Sequence, residues 1–162
     1  MALSHEQTVG PSGLPHFPIS LFASGMGMMG FALALRALET TYGAAHGGSM
    51  AVLAVSAVIL LTVSLGYVAK AIRYPGQVAA DWHHPVKIAF FPAISISLLL
   101  LATALIEIAP ALAEALWLFA TVLQGVLALS VLSVWIGHRP FQPAMMTPAW
   151  FIPAVGNLVV PL

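Results

Sequence analysis

The sequence contains no cysteine and very few charged residues. Of its 162 residues, 6% are Asp, Glu, Lys or Arg, and the formal net charge is zero. The lack of cysteine excludes disulfides and thiolate metal sites, and the balanced charge argues against a nucleic-acid-binding surface. A soluble domain usually carries about 25% charged residues. The shortage of charge therefore indicates a chain whose surroundings are not mainly water.

The chain instead contains long hydrophobic segments. Hydrophobic residues make up 60% of the sequence, and the mean hydropathy is +1.00. About 20 helical residues cross a bilayer core that is roughly 30 Å thick. Four segments are long enough, and a fifth of 14 residues is too short to span comfortably: 17–38, 50–69, 86–106, 115–137 and 149–162. We expect one all-α transmembrane domain, residues 1–162, that is incomplete and ends inside its fifth helix. The alternative is that the fifth segment is a short re-entrant or interfacial one.

Short connections and basic residues predict the topology. The connections are rich in Gly or Pro, so consecutive segments should form antiparallel helical hairpins. The second connection carries Lys70, Arg73 and Lys87, and the fourth carries Arg139, whereas only Arg36 lies beside the first. Because Lys and Arg accumulate in cytoplasmic loops, we expect the N-terminus in the cytoplasm. We expect a multi-pass protein of the cell membrane, specifically the inner membrane of a bacterium.

A proline motif repeats in the odd-numbered segments. It reads FPIS at 17–20, FPAIS at 91–95 and IPAVG at 152–156, and the second and fourth segments contain no proline. Pro92 is expected about a turn and a half inside its helix. There a proline removes a backbone hydrogen bond, and in lipid the freed carbonyl needs another partner. The repeat predicts proline-kinked odd helices around a common, partly wet axis, with the even helices outside.

The residues of the odd segments that would line such an axis are small or polar. Hydroxyl and amide groups solvate an ion without a fixed charge, and glycine leaves room beside the helix. Two alternatives stay open, since small residues also allow close helix packing and serine often bonds its own helix backbone. Proline can also simply mark a first helical turn. The predicted pore-lining residues are Pro18, Ser20, Ser24, Gly27, Pro92, Ser95, Pro153 and Asn157.

The middle of every segment lacks Asp, Glu, Lys and Arg. Proton relays normally bury a carboxylate in the membrane, so a carboxylate-driven pump is not expected. The histidines lie at segment ends or in loops, which does not suit a haem held between two helices. The sequence has no nucleophile–base pair, no phosphate-binding loop and no metal cluster. We therefore expect no enzyme activity, no cofactor and no metal.

Three stretches of the sequence resemble one family. They are FPISLF at 17–22, HPVK at 84–87 followed by FFP at 90–92, and PAWFIPAVGN at 148–157. Together they make the chain similar to the tellurite-resistance/dicarboxylate transporter family, the TehA-like proteins, to which the plant slow anion channels belong. The resemblance covers nearly the whole chain but about half of the family's usual length.

The resemblance implies ten helices in five hairpins around a pore, with proline-kinked odd helices as its wall. It also implies homotrimers in which each subunit has its own pore, and small anions such as C4-dicarboxylates, tellurite or inorganic anions as substrates. The family's gate is a phenylalanine on the ninth helix, which has no counterpart here. Because two and a half hairpins do not close such a ring, we expect a fragment that does not conduct as a monomer.

The function expected from the sequence is passive anion transport through a channel-like pore. The expected partners are the lipid bilayer, small anions and further copies of the chain. Two alternatives stay open: a proton-coupled secondary carrier for dicarboxylates or oxyanions, and a membrane anchor subunit that transports nothing.

Overall fold

The structure, a computed structural model, describes residues 13–137 and 148–161, and in this part of the chain the regular structure is helical throughout. The α-helices are α1 (Leu21–Thr41), α2 (Gly47–Arg73), α3 (Pro75–His83), α4 (Pro92–Leu105), α5 (Pro110–Ile136) and α6 (Ile152–Val159). Four spans are long and apolar enough to cross a membrane, namely α1, α2, α5 and the stretch Lys87–Leu105 that includes α4. The all-α membrane fold predicted from the sequence is confirmed.

Several helix boundaries differ from the predicted ones, mostly because of proline. Helix α5 begins at Pro110, whereas the sequence placed its start at 115. Residues 75–83, expected to be a loop, form α3, which begins at Pro75. Proline fits the first helical turn, because its φ is already helical and no N–H is needed there. A Pro-Gly pair therefore opens a helix here, where the sequence suggested only a turn.

The proline motif has a structural counterpart that repeats three times. Each copy is a short 3-10 segment, then a proline two residues after its end, then an α-helix. The 3-10 segments are Leu14–His16, Lys87–Phe90 and Pro148–Phe151, and the prolines are Pro18, Pro92 and Pro153. We call α1, α4 and α6 the proline-led helices.

The same repeat corrects one prediction. Pro92 is the first residue of α4, so its expected position a turn and a half inside an α-helix is wrong. The span is interrupted at this point, but as a change from 3-10 to α-helix and not as a kink within an α-helix. The physical reason is that the first turn is where the missing N–H of proline costs no hydrogen bond.

Helices α1 and α2 form one antiparallel hairpin, and α4 and α5 form another. Helix α4 packs against α1 on one side and against α6 on the other. The end of α1 meets the residues that follow α4, since Arg36 pairs with Glu107. At the other end of the bundle, Lys70 at the end of α2 bonds the carbonyl of Phe17, just before α1. The proline-led helices α1 and α4 therefore run parallel, side by side.

Helix α6 runs in the same direction. Its first turn lies beside the first turn of α4, because Gln124 bonds both Ser95 and the carbonyl of Pro153. Its last residues lie beside the start of α5, where Trp117 donates to the carbonyl of Val160. The three proline-led helices thus form one parallel row, flanked by α2 and α5.

Burial is uneven across the bundle. In the span Lys87–Leu105, 67% of the apolar stretch is buried, against 22–28% in the other three spans. Helix α2 exposes a stripe of large aliphatic side chains that includes Val58, Leu61 and Leu65, and α5 exposes a similar one. Lipid accommodates such stripes without cost. Helix α4 is therefore the centre of the packing, and α2 and α5 present lipid-type faces.

Candidate functional site

The exposed face of α1 differs from the exposed faces of its neighbours. Ser20, Ser24, Gly27, Phe31 and Ala34 follow one another at spacings of four and three residues, which places them on one side of the helix, and all five are exposed. A Cβ added at Gly27 would meet no atom within 4 Å. Apart from Phe31, the face consists of small or hydroxyl-bearing residues, whereas α2 and α5 expose bulky aliphatic ones.

The structure divides the predicted lining residues into two groups. Ser20, Ser24 and Gly27 lie on the exposed face of α1, with the exposed Pro18 just before this helix, and Asn157 is exposed on α6. The remaining three are buried: Pro92, Ser95 and Pro153. The first group borders open space, and the second lies where the helices pack against one another.

The buried group is joined by a residue that the sequence analysis missed. Ser95 Oγ donates to Gln124 Oε1 at 2.7 Å, and Gln124 Nε2 donates to the carbonyl of Pro153 at 3.1 Å. Ser95 Oγ also lies 2.9 Å from the carbonyl of Pro92. Gln124 is completely buried, so its amide depends on these partners. Its position midway along the apolar run of α5 was the available signal.

A second missed feature is a charged cluster at the start of the proline-led helices. Lys70 Nζ lies 2.5 Å from Asp81 Oδ2 and donates to the carbonyl of Phe17 at 2.9 Å. Lys87 Nζ donates to the other oxygen, Asp81 Oδ1, at 2.7 Å. The side chains of Lys70 and Asp81 are 2% and 5% exposed, and that of Lys87 is 48% exposed. From the sequence alone, Lys70 and Lys87 indicated only the orientation of the chain in the membrane.

The charge balance of this cluster is set by Asp81. Burial by itself raises the pKa of this carboxyl, but the hydrogen bonds and charges of Lys70 and Lys87 outweigh burial, so that its pKa lies below the usual value. With the carboxylate ionised and both lysines charged, the cluster carries one net positive charge. It lies next to the N-terminal ends of α1 and α4, whose dipoles add positive potential there.

An aromatic layer lies immediately inside this cluster. Tyr67 packs edge-on against Phe22 and Phe91, with ring centroids 5.9 and 6.3 Å away, and Trp82 packs against Phe91 at 4.8 Å. The Lys70 ammonium lies 5.4 Å from the centre of the Tyr67 ring, a cation–π distance. These rings exclude water from the inner side of the ion pair and join α1, α2, α3 and α4.

The opposite end of the bundle is closed by polar contacts of a different kind. Arg36 forms an ion pair with Glu107, whose side chain is 72% exposed. Glu39 accepts the backbone N–H of Ser49 at 3.1 Å and also the hydroxyl of Ser49. A carboxylate bonded to the first turn of a helix satisfies its free N–H groups. The Glu39 contacts fix the connection from α1 to α2, and the Arg36–Glu107 pair joins α1 to the residues that follow α4.

The rest of the described chain bears on cofactors and orientation. In residues 13–137 and 148–161, His, Asp and Glu side chains form no group of three that could hold a metal ion. Arg139, which contributed to the predicted orientation, lies outside the described residues. The described arrangement offers a charged cluster at one end, and exposed hydroxyl and amide groups on α1 and α6.

Comparison with known proteins is consistent with this arrangement. A search of curated proteins found no match. The family model described as voltage-dependent anion channel (SLAC1) matches residues 16–162, all of the chain except its first 15 residues. The match includes every described transmembrane span and all three proline motifs, and the family is one of anion transporters. This chain is a multi-pass membrane protein that belongs to the voltage-dependent anion channel (SLAC1) family.

Proposed function

We propose that the chain contributes to a channel-like path through which small anions pass down their electrochemical gradient. The observation that carries this proposal is the exposed face of α1. Ser20, Ser24 and Gly27 form a small, hydroxyl-bearing surface in a bundle whose flanking helices expose bulky aliphatic stripes. A surface of this kind suits water and a partly hydrated anion better than it suits lipid. Membership of an anion-transporting family supports the same function.

The electrostatics of the bundle favour an anion over a cation. The charged cluster of Lys70, Asp81 and Lys87 carries one net positive charge beside the N-terminal ends of the proline-led helices. Positive potential at the mouth of a path raises the local concentration of anions. Hydroxyl and amide groups then solvate the ion without binding it so tightly that it cannot leave. In this mechanism no covalent bond is made or broken, and the protein is not an enzyme.

The predicted lining residues take two roles in the proposal. Pro18, Ser20, Ser24, Gly27 and Asn157 border the path, because they are exposed. The buried residues of the predicted set shape the path by holding the proline-led helices together, and they are Pro92, Ser95 and Pro153. The described helices form a row, so further helices complete the wall.

Further parts of the proposal rest on the family and on the distribution of charge. The protein forms homotrimers in a bacterial inner membrane, with its N-terminus in the cytoplasm and one path in each subunit. The substrates are small anions of the C4-dicarboxylate, tellurite or inorganic type. The charged cluster then lies at the cytoplasmic end of the path.

These 162 residues contain no cysteine, so an introduced cysteine is unique within them. Single cysteines replace Ser20, Ser24 or Gly27 in the protein expressed from its native gene, and a membrane-impermeant, negatively charged thiosulfonate is applied to membranes. Matched controls carry the cysteine at Val58 or Leu61, which are 63% and 60% exposed on the aliphatic stripe of α2. We expect fast modification on α1 and none on α2, because a charged reagent enters water but not lipid.

The outcomes separate the possible functions. Modification of α1 that also reduces anion current supports a conducting path. Equal protection of α1 and α2 would mean that the α1 face lies against lipid or protein, and the proposed path would be wrong. In reconstituted vesicles, a current that reverses at the anion equilibrium potential is expected. Transport that instead follows a proton gradient would assign the protein to coupled carriers, and no transport at all would leave the role of a membrane anchor.

A further inference from the structure

A buried amide holds two proline-led helices together at their first turns. Gln124 lies in the middle of α5, yet both of its hydrogen bonds leave that helix. Its Oε1 accepts from Ser95 on α4 at 2.7 Å, and its Nε2 donates to the carbonyl of Pro153 on α6 at 3.1 Å. Because the three residues are buried, water does not replace either bond. One side chain thus ties α4 and α6 to α5.

Helix α6 is shaped to receive this amide. Gly156 lies one helical turn after Pro153, and a Cβ added to it would lie 2.7 Å from Gln124 Oε1 and closer still to Nε2. Real Cβ atoms do not come so near, so any larger residue at this position must push α6 or the amide away. The amide is not free to swing aside, because doing so breaks both hydrogen bonds. Gly156 and Gln124 therefore form a matched pair.

We infer that Gln124 is a positioning residue that fixes the distance between α4 and α6 and, through this distance, the width of the anion path. The inference rests on the proposed function only for its second half, since the helix distance exists whether or not the chain conducts. Gln124 does not touch the ion in this mechanism. It acts through α6, which carries the exposed Asn157 one residue after Gly156.

Four variants of the protein expressed from its native gene test the inference. Gln124→Leu keeps a similar volume and removes both hydrogen bonds. Gly156→Ala introduces the overlap, and the double variant Gly156→Ala/Gln124→Ala removes the amide that the new methyl group would meet. Gly125→Ala is the matched control, because a Cβ at Gly125 meets no atom within 4 Å.

The first readout is a distance that does not depend on transport. Spin labels are attached to cysteines introduced at Leu61 on α2 and Leu158 on α6, which are 60% and 72% exposed. Three helix–helix contacts lie between the labelled helices: α2–α1, α1–α4 and α4–α6. Because packed helix axes lie about 8–10 Å apart, we expect about 25–30 Å between the labels. We expect a single narrow distance in the parent and in Gly125→Ala. Gln124→Leu and Gly156→Ala should give a second, displaced population. The loss of a single hydrogen bond enlarges it by about threefold to tenfold, and Gln124→Leu, which loses two, should exceed Gly156→Ala.

The second readout is the permeability ratio between a large and a small anion, which a residue that merely stabilises the fold would not change. In Gln124→Leu and Gly156→Ala this ratio should change, while the amount of protein in the membrane stays constant. The double variant removes the overlap but also both hydrogen bonds, so its ratio should resemble that of Gln124→Leu and not that of the parent. An unchanged distance distribution in both single variants would overturn the inference, whatever happens to transport. If the single variants displace the helices but the parent conducts no anion, Gln124 still sets the helix distance. In that case the proposed function is wrong.

Discussion

Replacing Asp81 with asparagine removes the negative charge on which the buried ammonium group of Lys70 depends. The Lys70 side chain is 2% exposed and that of Asp81 is 5% exposed, so neither group is solvated by water. Removing one partner of a buried ion pair costs about 3–5 kcal/mol, because the other charge stays buried without compensation. Asparagine keeps one oxygen that can accept a hydrogen bond, so the expected loss is about 3 kcal/mol.

The assay is thermal unfolding of the purified protein in detergent, followed by circular dichroism. For a chain of this length, each kcal/mol lowers the melting temperature by about 2–4 °C, so the expected shift is about 6–12 °C. Lys87→Gln is the matched control, since the Lys87 side chain is 48% exposed and its pair with Asp81 should contribute less than about 1 kcal/mol. Replacing both buried partners, in Lys70→Met/Asp81→Asn, should recover most of the loss.

The same pair predicts a dependence on acid. Folding lowers the pKa of Asp81, because the hydrogen bonds from Lys70 and Lys87 outweigh its burial. The stabilisation is therefore complete above the usual carboxyl pKa of about 3.9 and is lost as the pH falls through the lowered value. The stability difference between the parent and Asp81→Asn should shrink in that acidic window. If Asp81→Asn and Lys87→Gln melted at the same temperature at neutral pH, the reasoning about the buried pair would be refuted.

Two further predictions concern polar groups elsewhere in the bundle. The hydroxyl of Tyr67 is buried and has no hydrogen-bond partner within the described part of the chain, so Tyr67→Phe should be neutral or raise stability by up to about 1 kcal/mol in thermal unfolding; a clear loss would reveal a partner for this hydroxyl. The Arg36–Glu107 pair is exposed, with 20% and 72% of the two side chains accessible. A double-mutant cycle should give a coupling below about 1 kcal/mol, and a value of several kcal/mol would show that this end of the bundle is buried in the assembled protein.

The architecture could be predicted because lipid imposes a simple rule. Spans of about 20 apolar residues are required in a bilayer, and the runs in this sequence leave little choice about where they lie. The proline repeat also had a regular structural counterpart, in the recurring 3-10 segment, proline and α-helix. Its local form was mispredicted at Pro92, because the position of a proline relative to the first turn depends on where the helix begins. Helix boundaries are the part that hydrophobicity determines least.

The polar interior could not be predicted in the same way. Asp81 was counted among loop residues, since a Pro-Gly pair suggested a turn where α3 forms, and a helix was needed to turn this carboxylate towards Lys70. Gln124 was overlooked although it is an amide in an apolar run, and its partners are separated from it by 29 residues in each direction. Pairings over such distances follow from packing, which composition and periodicity do not specify. Three residues of the exposed face of α1, namely Ser20, Ser24 and Gly27, were predicted as lining residues from the sequence, but only the structure shows that they share an exposed face.

The central position of α4 has a consequence for how this sequence can vary. Residues of α2 and α5 that face lipid need only to be apolar, so Leu, Ile and Val can replace one another there at little cost. In the span Lys87–Leu105, which includes α4, 67% of the apolar stretch is buried, and each added or lost methylene there disturbs a packed neighbour. Among descendants of a common ancestor, the third span should accept substitutions most slowly. In the flanking spans, aliphatic residues should often replace one another. The lipid-facing stripes would then stay hydrophobic while the identity of their residues changes.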